Sequence, residues 1–145
     1  VLWVRDLFLH SICRLKGVDV QYKKSILIID DMKQIRDILW FSLKQEGYKP
    51  ILAENGQKGL EYFFDKENRV DLVILDVMMP KMDGFQVLEK IRTSNKLVSK
   101  IPVIMLTAKA QREDVIKGLK KGASDYVVKP YKFEELLKKI KNLIG

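Results

Sequence analysis

Residues 70–92 read VDLVILDVMMPKMDGFQVLEKIR, and this stretch decides the fold of the chain. It begins with an apolar run at 70–75, which Asp76 follows at once, and apolar residues then recur at the spacing of a helix. A buried strand followed by an amphipathic helix produces this order of patterns. The stretch therefore predicts a strand, then a helix, with a carboxylate at the carboxyl end of the strand.

The same alternation of a short apolar run and a helical pattern extends over the chain from residue 25 onward. The runs that predict strands are 25–29, 49–53, 70–75, 101–106 and 125–128. Strands that alternate with helices imply βαβ crossovers, and therefore a parallel sheet covered on both faces. Pro50 favours an edge position for the second strand, because proline cannot donate to a strand ladder. The prediction is an α/β protein with an open, doubly wound sheet.

The first helical pattern places four apolar residues on one face, which we expect to be buried. These residues are Ile35, Ile38, Leu39 and Leu43. Gly47 and Gly122 are expected to end the helices that precede them, because glycine readily adopts the left-handed conformation found after a helix.

Composition excludes several classes of protein. The chain has 145 residues, enough for one domain with a single core. One cysteine and one histidine exclude an internal disulfide and a metal centre of several Cys or His ligands. The longest uncharged run near the start, 7–13, is far shorter than the ~20 residues of a membrane span. Without a signal-like start, we expect a cytoplasmic protein.

Residues 1–24 differ from the remainder of the chain. Apolar residues at helical spacing predict an added helix at 2–16, and 18–24 resemble a linker. The alternative is an upstream extension without a functional role. We therefore divide the chain into an extension, 1–24, and a domain, 25–145.

Polar residues follow the predicted strands where each strand ends. They are Asp30 and Asp31 after the first strand, Asp76 after the third, Thr107 after the fourth and Lys129 after the fifth. Each alone has a simple structural explanation, such as a helix cap or a solvated loop lysine. Ligands of doubly wound sheets bind beyond the carboxyl ends of the strands. The agreement of four strand ends therefore predicts a site at this edge.

Three carboxylates at one edge repel one another. At ~4 Å and an effective dielectric constant near 20, each pair costs about 4 kcal/mol. A hard divalent cation removes this cost, and ligands without His or Cys favour Mg²⁺, with Mn²⁺ as a substitute, over Zn²⁺. Together with a lysine and a hydroxyl, the carboxylates suit phosphoryl transfer onto an aspartate.

These residues lie within motifs that resemble the receiver domain of bacterial two-component response regulators, over residues 24–145. The matching segments are ILIIDDMKQIR, AENGQKGLEYF, DLVILDVMMPKMDGFQVLEKIR, IPVIMLTAKA and GASDYVVKPYKFEELLKKI. The resemblance implies a flavodoxin-like, five-stranded sheet in the order 2-1-3-4-5.

The resemblance also implies a role for each carboxylate. Asp76 would be the phospho-acceptor and also a ligand of Mg²⁺. Asp31 would bind Mg²⁺ directly and Asp30 through water, while the backbone carbonyl of Met78 would complete the protein ligands.

The other site residues implied by the resemblance contact the phosphoryl group or report its presence. Thr107 would donate a hydrogen bond to the phosphoryl oxygens, and Lys129 would pair with them. Tyr126 would be the switch aromatic. The Lys129–Pro130 bond would be a cis peptide.

Four other functions make different demands on the sequence. A nucleotide-binding enzyme would need a glycine-rich loop where this chain has IDDMKQ. A carboxylate-nucleophile phosphatase would carry a second acid two residues after Asp76, at Met78. A histidine phosphotransfer protein would need a histidine on a helical bundle, whereas His10 lies outside the core pattern. A receiver that only binds partners remains the serious alternative, although the acidic residues are all present.

The expected function is therefore phosphorelay signal transduction. The phosphoryl donor would be a sensor histidine kinase or a phosphotransfer protein, and the chain would promote only its own phosphorylation and dephosphorylation rather than act as an enzyme on other substrates. We expect the chain either to act alone or to be part of a larger regulator.

The output partner, or a second copy, would bind the face of the fourth helix, fifth strand and last helix. Seven lysines fall on this predicted face, against Asp125, Glu134 and Glu135. The lysines are Lys117, Lys120, Lys121, Lys132, Lys138, Lys139 and Lys141. The alternative is a solvated surface. Because arginine is scarce, direct binding of nucleic acid is not expected.

Overall fold

The computed structural model describes residues 23–94, 98–108 and 112–145. Five strands and five helices alternate along them. They are β1 (Ser25–Ile29), α1 (Lys33–Gln45), β2 (Lys49–Ala53), α2 (Gly56–Phe64), β3 (Leu72–Asp76), α3 (Gly84–Arg92), β4 (Val103–Thr107), α4 (Arg112–Lys120), β5 (Asp125–Val128) and α5 (Phe133–Ile144). The predicted helix at 2–16 and most of the predicted linker lie outside the described residues, so that division of the chain stays a prediction.

The strands form one parallel sheet in the order β2-β1-β3-β4-β5, which confirms the predicted doubly wound topology. The order reverses at β1, whose neighbours are β2 and β3. β2 lies at an edge, so Pro50 stands where the sequence placed it.

Two strand boundaries differ from the prediction. β3 covers 72–76 instead of 70–75, and β4 covers 103–107 instead of 101–106. The backbone N–H of Asp71 donates to Ser25 O at 2.8 Å, and the Asp71 carboxylate accepts the Ser25 N–H at 2.8 Å. Asp71 therefore binds the first residue of β1 and precedes β3 instead of belonging to it. At the other end the ladder continues, because the Val77 N–H donates to Leu106 O at 3.0 Å. Asp76 and Thr107 are therefore the last residues of β3 and β4, and the hydrogen bonds of the sheet hold their backbones in place.

Alternate residues of the strands point into two apolar layers. One layer joins the sheet to α2 and α3 through residues such as Leu27, Phe63 and Ile91. The other joins it to α1 and α5 through residues such as Ile28, Leu43 and Ile140. Burial on both faces explains why the strand sequences are continuous apolar runs instead of alternating ones.

The predicted burial of Ile38 is wrong. Leu39 and Leu43 are buried and Ile35 packs at the margin of the core, but Ile38 is 62% exposed. The four residues span a wider arc than the surface that α1 presents to the sheet and α5. The two helix stops are confirmed, with φ of 89° at Gly47 and 100° at Gly122.

Candidate functional site

The predicted site residues meet at the carboxyl edge of the sheet. Asp30 directly follows β1, and Asp76 ends β3, where it pairs in register with Leu106 of β4. Thr107 ends β4, and its carbonyl accepts the N–H of Lys129 at 2.7 Å. Parallel strands place their carboxyl ends side by side, so the topology itself brings these four residues together.

The turn after β1 holds Asp30 rigidly. The side chain of Asp30 is fully buried, and its Oδ1 accepts the backbone N–H of Met32 at 2.9 Å. The backbone carbonyl of Asp30 accepts Nη1 of Arg36 at 2.8 Å. Its Oδ2 is buried and has no hydrogen-bond donor among the described residues. A buried carboxylate oxygen without a donor is costly unless a cation binds it.

Three carboxylates form a cluster at this edge. One oxygen each from Asp30, Asp31 and Asp76 lies within 4.8 Å of the others. Asp76 is only 3% exposed, whereas Asp31 is exposed. The cluster therefore has a buried floor formed by Asp30 and Asp76 and a side open to solvent at Asp31.

Lys129 contributes a positive charge on the buried side. Its Nζ lies 3.2 Å from Oδ1 of Asp76 and 3.6 Å from Oδ2 of Asp30. One ammonium thus faces two carboxylates and balances only part of their charge. The Lys129–Pro130 peptide is cis, as predicted.

Burial and mutual repulsion shift the proton affinities of these groups. Burial, followed by the charge of Asp30, raises the pKa of Asp76 to about 6, although Lys129 and the Met78 N–H oppose the shift. Burial also raises the pKa of Asp30. Burial, with smaller contributions from Asp30 and Asp76, raises the pKa of Tyr131 to about 12. The raised pKa values show that the buried carboxyl groups bind protons more tightly than exposed ones do, as expected where negative charges are crowded together.

The turn after β3 presents Asp76 to the site. The backbone N–H of Met78 acts to lower the pKa of the Asp76 carboxyl, while the Met78 side chain is 72% exposed. Asp83 caps α3 by accepting the Gln86 N–H at 2.9 Å, and the Gln86 side chain accepts the Asp83 N–H at 3.0 Å. This capping box makes Asp83 the residue at which the turn ends, directly before α3 begins at Gly84.

The donor set fits a hard divalent cation. Every side-chain ligand in the cluster is a carboxylate oxygen, and Oδ2 of Asp30 is buried without a hydrogen-bond donor among the described residues. Oxygen ligands with open coordination positions suit Mg²⁺. The Met78 carbonyl as a further ligand stays a prediction.

Thr107 and Tyr126 both line a small cavity. Thr107 is 5% exposed at the end of β4, and Tyr126 is half-buried on β5. Val115 and Gly118 of α4 line the same cavity. A half-buried aromatic ring that lines the same cavity as Thr107 is compatible with a two-position switch, and that role stays a prediction.

Arg36 and Tyr131 were missed by the sequence analysis. Arg36 follows the acidic pair by five residues, but only the folded turn shows that its guanidinium reaches the Asp30 carbonyl. Tyr131 follows Lys129 by two residues in VKPY, and that spacing to a predicted site residue was the available signal.

Sequence comparison agrees with this geometry. A family described as "Response regulator receiver domain" matches residues 26–141. The "Probable transcriptional regulator ycf27" of Guillardia theta is 41% identical over 131 residues, which are 90% of this chain and 49% of that protein. The "Transcriptional regulatory protein RprY" of Bacteroides fragilis is 38% identical over 127 residues, 88% of this chain and 52% of that protein. The chain thus spans about half the length of these relatives.

Solved structures share both the fold and a measurable part of the sequence. The chemotaxis protein CheY4 of Vibrio cholerae has a TM-score of 0.77 and 31% identity, over 85% of this chain and all (100%) of that one. The response regulator TrrA of Thermotoga maritima, crystallised in complex with Mg(2+)-BeF, has a TM-score of 0.72 and 39% identity, over 83% of this chain and 99% of that one. The family match over most of the chain, on a sheet that gathers the acidic residues at one edge, shows that the chain belongs to the response regulator receiver domain family.

Proposed function

We propose that this chain accepts a phosphoryl group on Asp76 in a Mg²⁺-dependent reaction and relays a signal through the resulting change of conformation. The observation that carries the proposal is the position of Asp76. Its buried carboxylate lies 3.2 Å from the Lys129 ammonium and within 4.8 Å of two further carboxylates.

The chemistry follows from these contacts. An Asp76 oxygen attacks phosphorus, an O–P bond forms, and the P–N bond of a phosphohistidine or the P–O bond of an acyl phosphate breaks. Asp76 must be ionised to attack, and with a pKa of about 6 most of it is ionised at neutral pH. Lys129 is placed to pair with the charge on the phosphoryl oxygens, and Thr107 ends the neighbouring strand where its hydroxyl can donate to them.

Mg²⁺ would neutralise the acidic cluster and polarise the transferred group. We assign Asp31 as a direct ligand, because its side chain reaches solvent, and Asp30 as a ligand through water. The Met78 carbonyl and a possible substitution by Mn²⁺ belong to the same proposal. The Thermotoga TrrA structure is a complex with Mg(2+)-BeF, which supports the proposal of a magnesium site in this chain.

The signal would reach a partner through the face formed by α4, β5 and α5. The phosphoryl group would draw Thr107 toward it, and Tyr126 would turn into the cavity that both residues line. A phosphoryl group shifts such an equilibrium only by its different affinity for the two states, so the active state should be slightly populated beforehand.

The donor would be a sensor histidine kinase or a phosphotransfer protein. The two curated relatives are named as transcriptional regulators and are about twice as long as the matched part. We therefore propose that the output is carried by a further domain or a separate protein, with the chain acting on no substrate other than its own aspartyl phosphate. Among the described residues, no helix combines the length and apolar character needed to cross a bilayer.

NMR spectra with Mg²⁺ and beryllium fluoride test this proposal, since that complex mimics an aspartyl phosphate. We expect shifts at Thr107, Tyr126 and the amides of α4 in the wild type. Asp76→Asn or a chelator should abolish them. Spectra that do not change on addition of the mimic would favour the alternative, a receiver domain that only binds partners.

A further inference from the structure

Arg36 contacts the candidate site through the backbone of Asp30. Its Nη1 donates to the backbone carbonyl of Asp30 at 2.8 Å, and its own N–H donates to Met32 O at 3.1 Å, in the first turn of α1. The side chain is half-buried, so the contact is shielded from water on one side. Arg36 therefore joins α1 to the segment that carries both acidic residues.

This contact completes a set of bonds that fixes Asp30 on three sides. Its Oδ1 is held by the Met32 N–H at 2.9 Å, its N–H donates to Ala53 O at 3.2 Å, and its carbonyl is held by Arg36. Oδ2 has no hydrogen-bond donor among the described residues, and it faces the Lys129 Nζ at 3.6 Å. Because the Asp30 carbonyl belongs to the peptide that links Asp30 to Asp31, the same bond orients Asp31.

Arg36 also lies toward the end of β2. The pKa of Glu54 is lowered mainly by the hydrogen bond and charge of Lys58, and to a smaller extent by the charge of Arg36. Glu54 and Asp31 line one cavity beside the cluster. The guanidinium thus binds the β1–α1 turn and is close enough to Glu54 to act on it electrostatically.

Charge alone would give Arg36 the opposite effect on a metal. A fixed positive charge beside three carboxylates repels a divalent cation, so its removal should tighten Mg²⁺ binding if charge were all that mattered. Orientation of the ligands acts in the other direction, because groups that hold metal ligands in place typically contribute a factor of about 10–100 in metal affinity. The two effects differ in sign and can be separated.

We propose that Arg36 is a positioning residue of the metal site, which holds the Asp30–Asp31 peptide so that both carboxylates face one cation. The inference rests on the proposed Mg²⁺-dependent function.

Calorimetric titration with MgCl₂, without any phosphoryl donor, measures the effect directly. We expect Arg36→Met to bind Mg²⁺ about ten-fold more weakly than the wild type. Arg36→Lys retains a donor and the charge and should recover part of the affinity. Lys33→Met is the matched control, because it removes a neighbouring cation of α1 that pairs with Asp37 at 3.0 Å and contacts none of the acidic cluster. The Mg²⁺ affinity of Lys33→Met should equal that of the wild type or exceed it slightly.

Urea unfolding separates positioning from a general structural role. If Arg36 only stabilises the fold, Arg36→Met lowers the unfolding midpoint while Mg²⁺ affinity stays the same, and the inference is overturned. Tighter Mg²⁺ binding by Arg36→Met also overturns it, because charge would then be the larger effect. If Arg36→Met does not fold, Arg36→Lys decides, and it must bind several-fold more weakly than the wild type.

Asp31→Asn distinguishes failure of this inference from failure of the proposed function. Wild-type affinity in Arg36→Met, together with weakened binding in Asp31→Asn, overturns the role of Arg36 alone. Equal affinity of the wild type and Asp31→Asn overturns the metal site itself, and the role of Arg36 with it.

Discussion

A Cβ atom on Gly84 would stand 2.4 Å from the backbone carbonyl oxygen of Asp76. The Gly84 N–H donates to Val77 O at 2.9 Å, so α3 starts directly against the end of β3. The close approach explains why α3, the helix that follows β3, begins with a glycine. The helix can start so near the site only without a side chain at this position.

We predict that Gly84→Ala destabilises the fold by about 1–3 kcal/mol, because the added methyl group meets backbone that cannot move aside. Gly118→Ala is the control. Its Cβ would meet Met105 Sδ at 3.4 Å, an ordinary contact, and alanine is the better residue within a helix. Urea unfolding of both variants checks the prediction. A cost for Gly84→Ala no larger than that for Gly118→Ala would contradict it.

Stability without metal should fall as the pH rises from about 4 to about 6. The pKa of Asp76 is raised from 3.8 to about 6 in the fold, so the folded state binds more protons than the unfolded chain in this window. A pKa that is higher by one in the folded state corresponds to about 1.4 kcal/mol, so the loss is on the order of 3 kcal/mol. Asp76→Asn should remove most of this loss.

Unfolding in urea with a chelator at several pH values provides the measurement. The stability of Asp76→Asn relative to the wild type should increase between pH 4 and pH 7. A difference between the two proteins that does not depend on pH would show that the carboxylate is not perturbed as the structure indicates.

Asp31→Ala should weaken Mg²⁺ binding more than Asp30→Ala. Asp31 is the exposed carboxylate and the proposed direct ligand, whereas Oδ1 of Asp30 is already engaged by the Met32 N–H. Calorimetry with Mg²⁺, and with Mn²⁺ as a second cation, compares the two variants. The reverse order of affinities would assign direct coordination to Asp30.

The lysine-rich face of α4, β5 and α5 is less open than its sequence indicates. Lys139 pairs with Asp125 at 2.9 Å, and Lys121 lies 3.6 Å from Glu89, an acid of α3 that the sequence analysis did not count. Lys120 and Lys138 are exposed and have no ion pair among the described residues. If the active form pairs with acids of a second copy, these two lysines are available to contribute, as are the exposed Lys132 and Lys141 of the same face.

We therefore predict that Lys120→Glu combined with Lys138→Glu weakens self-association of the form bound to beryllium fluoride. The wild-type association should weaken with salt, which screens charges over ~8–10 Å. Lys66→Glu, an exposed lysine after α2, is the control. Sedimentation at low and high salt supplies the readout. Association that is insensitive to both the substitutions and the salt would leave this face as solvated surface.

The sequence was sufficient to predict the fold and the edge of the sheet at which the candidate site residues meet, because both depend on patterns with a fixed geometry. Apolar runs alternating with helical spacing require a parallel sheet, and the strand ends then converge. Asp30, Asp76 and Lys129 were predicted for this reason. Two strands were predicted too early because apolar residues precede them: Val70 before β3 is buried without being part of the strand, and Ile101 and Pro102 before β4 are partly buried.

What the sequence could not show depends on contacts between elements. The exposure of Ile38 depends on how far the neighbouring elements cover α1, which the period of a helix does not specify. The role of Arg36 depends on a bond to a backbone carbonyl, an acceptor that every residue carries. The contrast between buried Asp30 and exposed Asp31 arises from the turn after β1, since adjacent residues of one type look equivalent in the sequence.

Intact-mass analysis after incubation with acetyl phosphate tests the central claim most directly. We predict that the wild type gains one phosphoryl group in the presence of Mg²⁺ and none with excess chelator, and that Asp76→Asn gains none under either condition. Equal labelling of the wild type and Asp76→Asn, or labelling that persists without a divalent cation, would contradict the account.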